Sequence, residues 1–347
     1  MSGVLVAMSG GVDSTAAAIT LIDMGYEVRG VTFALKGEGD PRSLPEAVRA
    51  KNAADGLGIE HEVIDLRDDF FREVISRFAS DYMAGRTPNP CVFCNRRIKF
   101  DLLMRLASQR GCDMVATGHY ARLEPREGKV RLLRARDRSK DQSYVLYRLG
   151  QEVLTRCLFP NGERTKREAR ELVERRLSMD LPGESQDICF LSGIDYRDFL
   201  ATHFPESVRP GPLLDGEGRE LGRHRGIAFY TVGQRRGLGL GGPEAFYVVR
   251  LDPERNAVVV GSREEVPGWW LEAEEAAWVE GTSPAPEFEA EAMIRYNADP
   301  TPCRVFVRGE RIRVEFQRKV WAITPGQHVV LYRGEEVLGG GVIVRGG

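Results

Sequence analysis

Ser9-Gly10-Gly11-Val12-Asp13-Ser14 stands between the apolar run Val4-Leu5-Val6-Ala7-Met8 and the run Ala16-Ala17-Ala18-Ile19-Thr20-Leu21-Ile22. A short β-type run, a glycine pair and a long alanine-rich run read as strand, turn and helix. The glycines let the backbone approach a ligand closely, and the first turn of the helix offers unpaired N–H groups to an anion. Ser9 and Ser14 add hydroxyl donors. A Walker-type phosphate loop ends in Gly-Lys-Ser/Thr, and no lysine stands here, which argues against γ-phosphoryl transfer.

Outward from this turn the alternation continues. Val28–Leu35 reads as a strand, Leu44–Leu57 as a helix closed by Gly58, Glu62–Leu66 as a strand and Phe70–Met83 as a helix. Ile98–Gln109 is a further helix and Asp113–Thr117 a further strand. Such alternation predicts α/β architecture, a parallel sheet with helices on both faces. Ligands of these sheets bind beyond the C-terminal strand ends, where Ser9, Phe33 and Gly118 would lie. A helix is expected over 161–180, with Thr165-Lys166-Arg167-Glu168 as its capping box. From Gly211 glycines and short β-type runs dominate, with strands expected over 226–232 and 246–251. Ser283-Pro284-Ala285-Pro286 then leads into strands at 290–296, 303–308, 311–317, 328–333 and 336–345, a small barrel or sandwich. The expected division is a catalytic domain over 1–196, a small β-rich domain over 197–275 and a β-barrel over 276–347.

The 347 residues suffice for two or three domains with sizeable cores. At 42% hydrophobic and 29% charged, the composition is that of a soluble globular protein. No apolar run approaches the roughly 20 residues of a membrane span, and the start lacks a basic-then-apolar leader. A cytoplasmic protein without a membrane partner is expected. Six cysteines (Cys91, Cys94, Cys112, Cys157, Cys189, Cys303) are too sparse for a disulfide scaffold and point to packing, metal binding or catalysis. The net charge of −2 announces no nucleic-acid partner. Between Arg122 and Arg148, however, nine Lys/Arg stand against four Asp/Glu, so one face can still meet a polyanion.

Asn89-Pro90-Cys91-Val92-Phe93-Cys94-Asn95 places two thiols three residues apart, before a helix expected to start near Arg97. The helix dipole and Arg96, Arg97 and Lys99 favour a thiolate there. Cys189, flanked by Ile188 and Phe190, reads from spacing alone as a packing residue. There is no second Cys-x-x-Cys and no close histidine pair to complete a zinc site.

The loop Ser9–Ser14 is similar to the pyrophosphate loop (PP-loop) of enzymes that split ATP between its α- and β-phosphates to activate a carbonyl as an adenylate. With it occur, in order, Thr87-Pro88-Asn89-Pro90, Cys94-Asn95, Ala116-Thr117-Gly118-His119-Tyr120-Ala121-Arg122, Lys140-Asp141-Gln142-Ser143-Tyr144, Ile188-Cys189-Phe190 and Tyr230-Thr231-Val232-Gly233-Gln234-Arg235. The set resembles the tRNA-specific 2-thiouridylases, which replace the position-2 oxygen of the wobble uridine with sulfur, and the likeness runs from Val4 to beyond Gln327. It implies a Rossmann-like ATP pyrophosphatase domain, ATP and Mg2+ as cofactors, and tRNA and a sulfur donor (a persulfide carrier protein or free sulfide) as partners, with no DNA. It implies that Ala7, Met8, Ser9, Gly10, Gly11, Val12, Asp13, Ser14, Phe33 and Gly118 contact ATP. Cys94 and Cys189 would be the catalytic pair, passing through a disulfide, and Asn89, Pro90 and Cys91 would lie against the target base. His119, Lys140, Asp141, Gln142, Arg295, Tyr296 and Gln327 would touch tRNA, with Lys, Glu and Gln acceptors expected.

One position departs from the family pattern. Many members carry Asp three residues before the first catalytic cysteine, where this chain has Cys91, so an Asp-based proton transfer does not carry over. Cys91, Cys94 and Cys189 match instead a variant group of tRNA thiolases in which three thiolates hold a 4Fe–4S cluster, a ligand type suited to such clusters. Persulfide and cluster chemistry both stay open at this point. A small-molecule adenylating ligase or amidotransferase is the other reading. It explains Ser9–Ser14 but not Cys94, Cys189 or the β-rich C-terminal region.

Overall fold

Five parallel strands, in the order His61–Asp65, Glu27–Ala34, Gly3–Ala7, Met114–Ala116 and Cys157–Leu158, form the first sheet. The computed structural model describes residues 2–177, 188–191, 193–241 and 245–347. Strand order turns back beside Gly3–Ala7, the strand that feeds the glycine turn, and a crevice at such a point is where ligands of open parallel sheets bind. Val12–Asp23 is the helix that follows the turn, and Pro45–Leu57 the next, stopped by Gly58 in the left-handed region at φ 70°. The helix expected over 161–180 is seen as Lys166–Arg176, and residues 178–187 lie outside the described ones.

The hairpin Ala121–Arg126 with Lys129–Arg134 leaves this domain and joins the barrel sheet through Leu132↔Val337 and Leu133↔Glu336. Its charged residues hide the strand period, and the sequence reading missed it. The central domain is a four-stranded sheet in the order Tyr247–Asp252, Ala257–Gly261, Gly211–Leu214, Glu220–His224. The strand expected over 226–232 is corrected, because only a 3-10 turn, Ile227–Phe229, forms there. Ile227, Ala228, Phe229 and Tyr230 are all buried against the Phe78–Tyr82 aromatics, and a short continuous apolar run does not distinguish strand from plug.

Six antiparallel strands, Gly268–Trp278, Glu287–Met293, Thr301–Arg308, Arg311–Val320, His328–Arg333 and Glu336–Gly346, make the C-terminal barrel. It closes where Gly268–Trp278 pairs back onto Glu336–Gly346. The boundary expected at 275/276 therefore falls inside a strand. Leu271 and Ala273 are fully buried in the barrel core, while Glu272 and Glu274 on the alternate face disguise the run.

Two cores cross domain borders. One joins Leu5, Val31, Phe100 and Val115 of the first domain to Val330, Tyr332 and Val337 of the barrel. At this border Tyr144 Oη donates to the His328 carbonyl at 2.8 Å, and Tyr147 Oη pairs with His328 Nδ1 at 2.8 Å. The other joins Phe78, Cys94 and Phe190 to Val248, Val258 and Val260 of the central sheet. Among the described residues no helix is long and apolar enough to cross a membrane.

Candidate active site

Gly10 adopts φ +69°, and a Cβ there would stand 2.6 Å from Cβ of Arg49 and 2.7 Å from N of Ala50, so this turn requires glycine. Gly11 then caps Val12–Asp23 without a side-chain bond, which leaves the first N–H groups of the helix available to an anion. Ser14 Oγ accepts from Ser9 N at 3.1 Å, lies 3.3 Å from Ser9 Oγ and donates to the Gly11 carbonyl at 3.2 Å, which folds the loop on itself. Met8 and Val12 are buried and Ala7 and Phe33 half-buried at the strand ends, so the main chain is what Met8 and Val12 can present to a nucleotide.

Asp13 is the best-connected group of the loop. Its carboxylate receives Lys166 Nζ at 2.7 Å on both oxygens and Tyr120 Oη at 2.7 Å. Asn161 Nδ2 bridges the Asp13 carbonyl (2.9 Å) to the Gly118 carbonyl (3.0 Å). A Cβ on Gly118 would meet the Asp13 carbonyl carbon at 2.6 Å and Ser14 N at 2.7 Å, so the Gly118 turn lies directly on the loop. Lys166, Tyr120 and Asn161 were missed as site residues. Tyr120 stood inside a quoted motif, and Lys166 was visible only as part of a helix cap.

Asn89 caps the helix Pro90–Cys94, its Oδ1 accepting from Cys91 N at 3.2 Å, with Pro90 in the first turn. No new helix starts near Arg97. Pro90–Cys94 runs on through a π-helical stretch, Asn95–Phe100, into Asp101–Gln109, so the thiols occupy the first turn of one long helix. Cys91 is exposed and Cys94 buried. Burial pushes the Cys94 thiol up to about 12, with the Lys99 ammonium pulling the other way. The expected thiolate is thus corrected: at rest Cys94 is a protonated thiol, desolvation outweighing helix end and cation.

Cys189 is exposed, and its carbonyl accepts from the Lys36 ammonium. Its neighbour Phe190 anchors it, with ring centroids 5.1 Å from Phe78, 5.5 Å from Phe199 and 5.9 Å from Phe70, in the core that contains Cys94. The charge of Lys99 acts on all three thiols, Cys91, Cys94 and Cys189. It acts on His119 as well, whose pKa is pushed down to about 3 by burial first and Lys99 second. His119 is therefore neutral, its Nδ1 paired with Thr117 Oγ1 at 2.7 Å and its ring stacked 6.0 Å from Phe100. Gly118-His119-Tyr120 thus touches Asp13 at both ends and faces the Lys99 region in the middle. Gly183–Asp187 and Pro182, the start of the loop expected to move Cys189, lie outside the described residues.

Among the described residues no three His, Cys, Asp or Glu side chains are arranged to hold a metal ion. Cys91, Cys94 and Cys189, the expected 4Fe–4S ligands, lie close enough to act electrostatically on one another and on Lys99, with Cys91 and Cys189 exposed and Cys94 buried.

The residues expected to touch tRNA divide. Tyr296 is 37% exposed, 5.9 Å from the Tyr144 ring, its hydroxyl pKa raised by burial and then by Asp141 and Cys91, so it neighbours the cysteine helix. Arg295 is exposed and donates to the Trp321 carbonyl at 3.4 Å. Lys140 is half-buried, and Gln142 pairs with Tyr120, accepting from its N–H at 3.0 Å through Oε1. Gln327 Nε2 donates to the Thr87 carbonyl at 2.9 Å, Thr87 N to the Pro325 carbonyl at 2.8 Å, and Thr87 Oγ1 to Thr231 Oγ1 at 3.2 Å. All three domains thus meet at Thr87, two residues before Asn89.

Asp141 is the buried member of the set expected to touch tRNA. It accepts from Arg134 Nε (2.9 Å), Ala135 N (3.0 Å), Ser143 N (3.1 Å) and Ser143 Oγ (3.1 Å), so it shapes its loop. The basic surplus of 122–148 is likewise met inside the chain: Arg122 and Arg138 pair with Glu335, Arg131 with Glu336, Arg148 with Glu275. A cleft of about 500 Å³ beside Asn89 and Pro90 is lined by Arg77, Arg86 and Arg148, with Asp81 and Glu275 balancing much of their charge.

Residues 2–193 match the family described as tRNA methyl transferase HUP domain, 197–262 the tRNA methyl transferase PRC-barrel domain, and 270–343 the aminomethyltransferase beta-barrel domain. The tRNA-specific 2-thiouridylase MnmA of Chloroflexus aurantiacus is 48% identical to this chain, with 99% of each covered. The chain belongs to the tRNA-specific 2-thiouridylase family. The MnmA of Carboxydothermus hydrogenoformans is 46% identical over 98% of this chain and 97% of its own. Among solved structures, the U34-tRNA thiolase NcsA of Methanococcus maripaludis, with its 4Fe–4S cluster, is 19% identical with a TM-score of 0.35, covering 59% of this chain and 67% of that one. Membership makes the chain a tRNA-modifying sulfurtransferase with a PP-loop ATP domain. The small-molecule ligase reading is not favoured, because the likeness includes both β-rich domains.

Proposed function

We propose that this enzyme converts the position-2 carbonyl of the tRNA wobble uridine into a thiocarbonyl at the expense of ATP, through a persulfide on Cys189. The observation that carries the reading is the Gly118-His119-Tyr120 turn, which packs on Asp13 and Ser14 on one side and shares the Lys99 region with Cys94 and Cys189 on the other. The carbonyl oxygen of uracil is a poor leaving group. Its attack on the α-phosphorus of ATP forms an O-adenylate and expels pyrophosphate towards the open N-terminus of Val12–Asp23, with magnesium offsetting charge. The Cys189 thiolate attacks the outer sulfur of a persulfide carrier protein and releases the carrier's thiol, and the terminal sulfur now on Cys189 attacks carbon 2 as AMP leaves. Cys94 then attacks the Cys189 sulfur, the S–S bond to the transferred atom breaks, and a Cys94–Cys189 disulfide remains for an external thiol to reduce.

A uridine stacked in an anticodon loop must turn out to reach this site. Asn89, Pro90, Cys91 and Tyr296 border the position it would take, while His119, Lys140, Gln142, Arg295 and Gln327 surround it. Exposed Arg235 and Arg236 supply backbone contacts, so binding weakens as salt rises. We assign the reaction to the cytoplasm and the acceptors to the Lys, Glu and Gln tRNAs.

The test separates persulfide from cluster chemistry. Cys94→Ser and Cys189→Ser should abolish 2-thiouridine formation while leaving the fold intact, and Cys91→Ser should turn over at near the normal rate. Equal loss in all three variants, with stoichiometric iron and sulfide in anaerobically purified enzyme, would overturn the persulfide route.

A further inference from the structure

The Ser9–Ser14 loop has no lysine of its own, and the fold brings one to it from 153 positions further on. Lys166 opens the helix Lys166–Arg176, which packs along Val12–Asp23, and its Nζ reaches both carboxylate oxygens of Asp13 at 2.7 Å. The two side chains are 17% and 37% exposed, so the pair sits at the rim of the site and not deep in the core. The main chain at Lys166 is fixed without this contact. Thr165 Oγ1 accepts from Glu168 N at 3.2 Å, Glu168 Oε2 accepts from Thr165 N at 2.7 Å, and Lys166 N donates to Asp137 at 3.2 Å. The long side chain can therefore swing while its backbone stays in place. Asp13 would keep Tyr120 Oη after such a swing. A second cation flanks the loop on the Gly10 side: Arg49 packs against that glycine, and its buried Nε has no hydrogen-bond partner among the described residues.

We propose that Lys166 is the phosphate-binding lysine of this site, held by Asp13 until ATP arrives and then turned to the β- and γ-phosphates while Asp13 turns to magnesium. The proposal rests on the ATP reading of the loop. ATP is a polyanion, and the Asp13 carboxylate would repel it unless a cation stood at the same place. An ammonium already paired with that carboxylate can exchange one anion for another without being desolvated afresh. In the adenylation step the uracil oxygen–phosphorus bond forms, the α-phosphorus–bridging-oxygen bond breaks, and pyrophosphate takes the electron pair. Lys166 keeps its proton and neutralises the growing charge, as the lysine of a Walker loop does from within the loop.

Calorimetric titration of the full-length enzyme with ATP, pyrophosphate and AMP, each with magnesium, tests this. Lys166→Met should weaken ATP and pyrophosphate by at least about tenfold, the scale of a lost charge-assisted bond, and change AMP affinity by less than about twofold. Lys166→Arg should recover part of the loss. Equal weakening of all three ligands, or of none, overturns the proposal. Should Lys166→Met fail to fold, Lys166→Met/Asp13→Asn removes both charges together, and the same selective loss of pyrophosphate is expected from it. Wild-type enzyme that binds none of the three ligands would refute the ATP reading itself, which is distinct from wild-type binding that Lys166→Met leaves unchanged.

Discussion

Cys91 and Cys94 are one helical turn apart in sequence, yet one opens to the surface and the other is buried. Spacing made both thiols legible, and the basic residues after them correctly pointed to a nearby cation, Lys99. Depth was not legible, because a helical period gives neighbours and says nothing of what packs above them. With the Cys94 thiol at about 12, the fraction ionised near neutrality is small and grows about tenfold per pH unit. In a single turnover from Cys189 persulfide, sulfur transfer should therefore accelerate with a log slope near +1 between pH 7 and 9. Lys99→Met removes the charge that pulls the Cys94 pKa down and should slow the step at every pH in that window. A flat profile in wild-type enzyme would mean that Cys94 ionisation does not limit transfer.

At the scale of elements, the strand–turn–helix at Gly3–Asp23 was readable because glycine pair, serines and apolar flanks all sit within 20-odd residues. The partners of that turn were not. Gly118 comes from another strand end and Lys166 from a later helix, and their relation to Asp13 exists only once the sheet is assembled. Gly118→Ala should push the turn off the loop, since its Cβ would lie 2.6 Å from the Asp13 carbonyl carbon. ATP affinity should fall at least about tenfold with far-UV circular dichroism unchanged; unchanged affinity would mean that the turn does not shape the nucleotide site. The clamp on Thr87 was likewise hidden, because Gln327 reads as an exposed polar residue until its amide is seen on the Thr87 carbonyl. Gln327→Ala should lower kcat more than it raises KM for tRNA if the clamp chiefly aligns Asn89–Cys94. A pure KM effect would assign Gln327 to RNA contact alone.

Across the whole molecule, three domains were legible from the switch between α/β alternation and short glycine-bounded strands, but their borders were not. The hairpin Ala121–Arg134 belongs by sequence to the first domain and by hydrogen bonding to the barrel sheet, and the cores follow the same trespass. A fragment ending before Gly268 would expose Tyr144 and Tyr147 and should not fold cooperatively, whereas the intact chain should unfold in one calorimetric transition. Buried His328 adds a pH signature, its pKa pushed down to about 3 by burial first, then by Arg148 and Arg77. Its folded pKa lies below the unfolded value of about 6.5, so its contribution is present above pH 6.5 and is lost as pH falls towards 3. Denaturation at stepped pH should show this loss, and His328→Gln, which cannot take up a proton, should reduce the slope below pH 6.5 by about one proton; an unaltered slope would contradict the assignment. The central claim is that one site opens ATP at its α-phosphate and delivers sulfur through Cys94 and Cys189. Enzyme, ATP, an unmodified tRNA transcript and a sulfur source should give 2-thiouridine, AMP and pyrophosphate in equal amounts, with no 2-thiouridine from Cys94→Ser or Cys189→Ser. ADP and phosphate as products, or full thiolation by either serine variant, would contradict it.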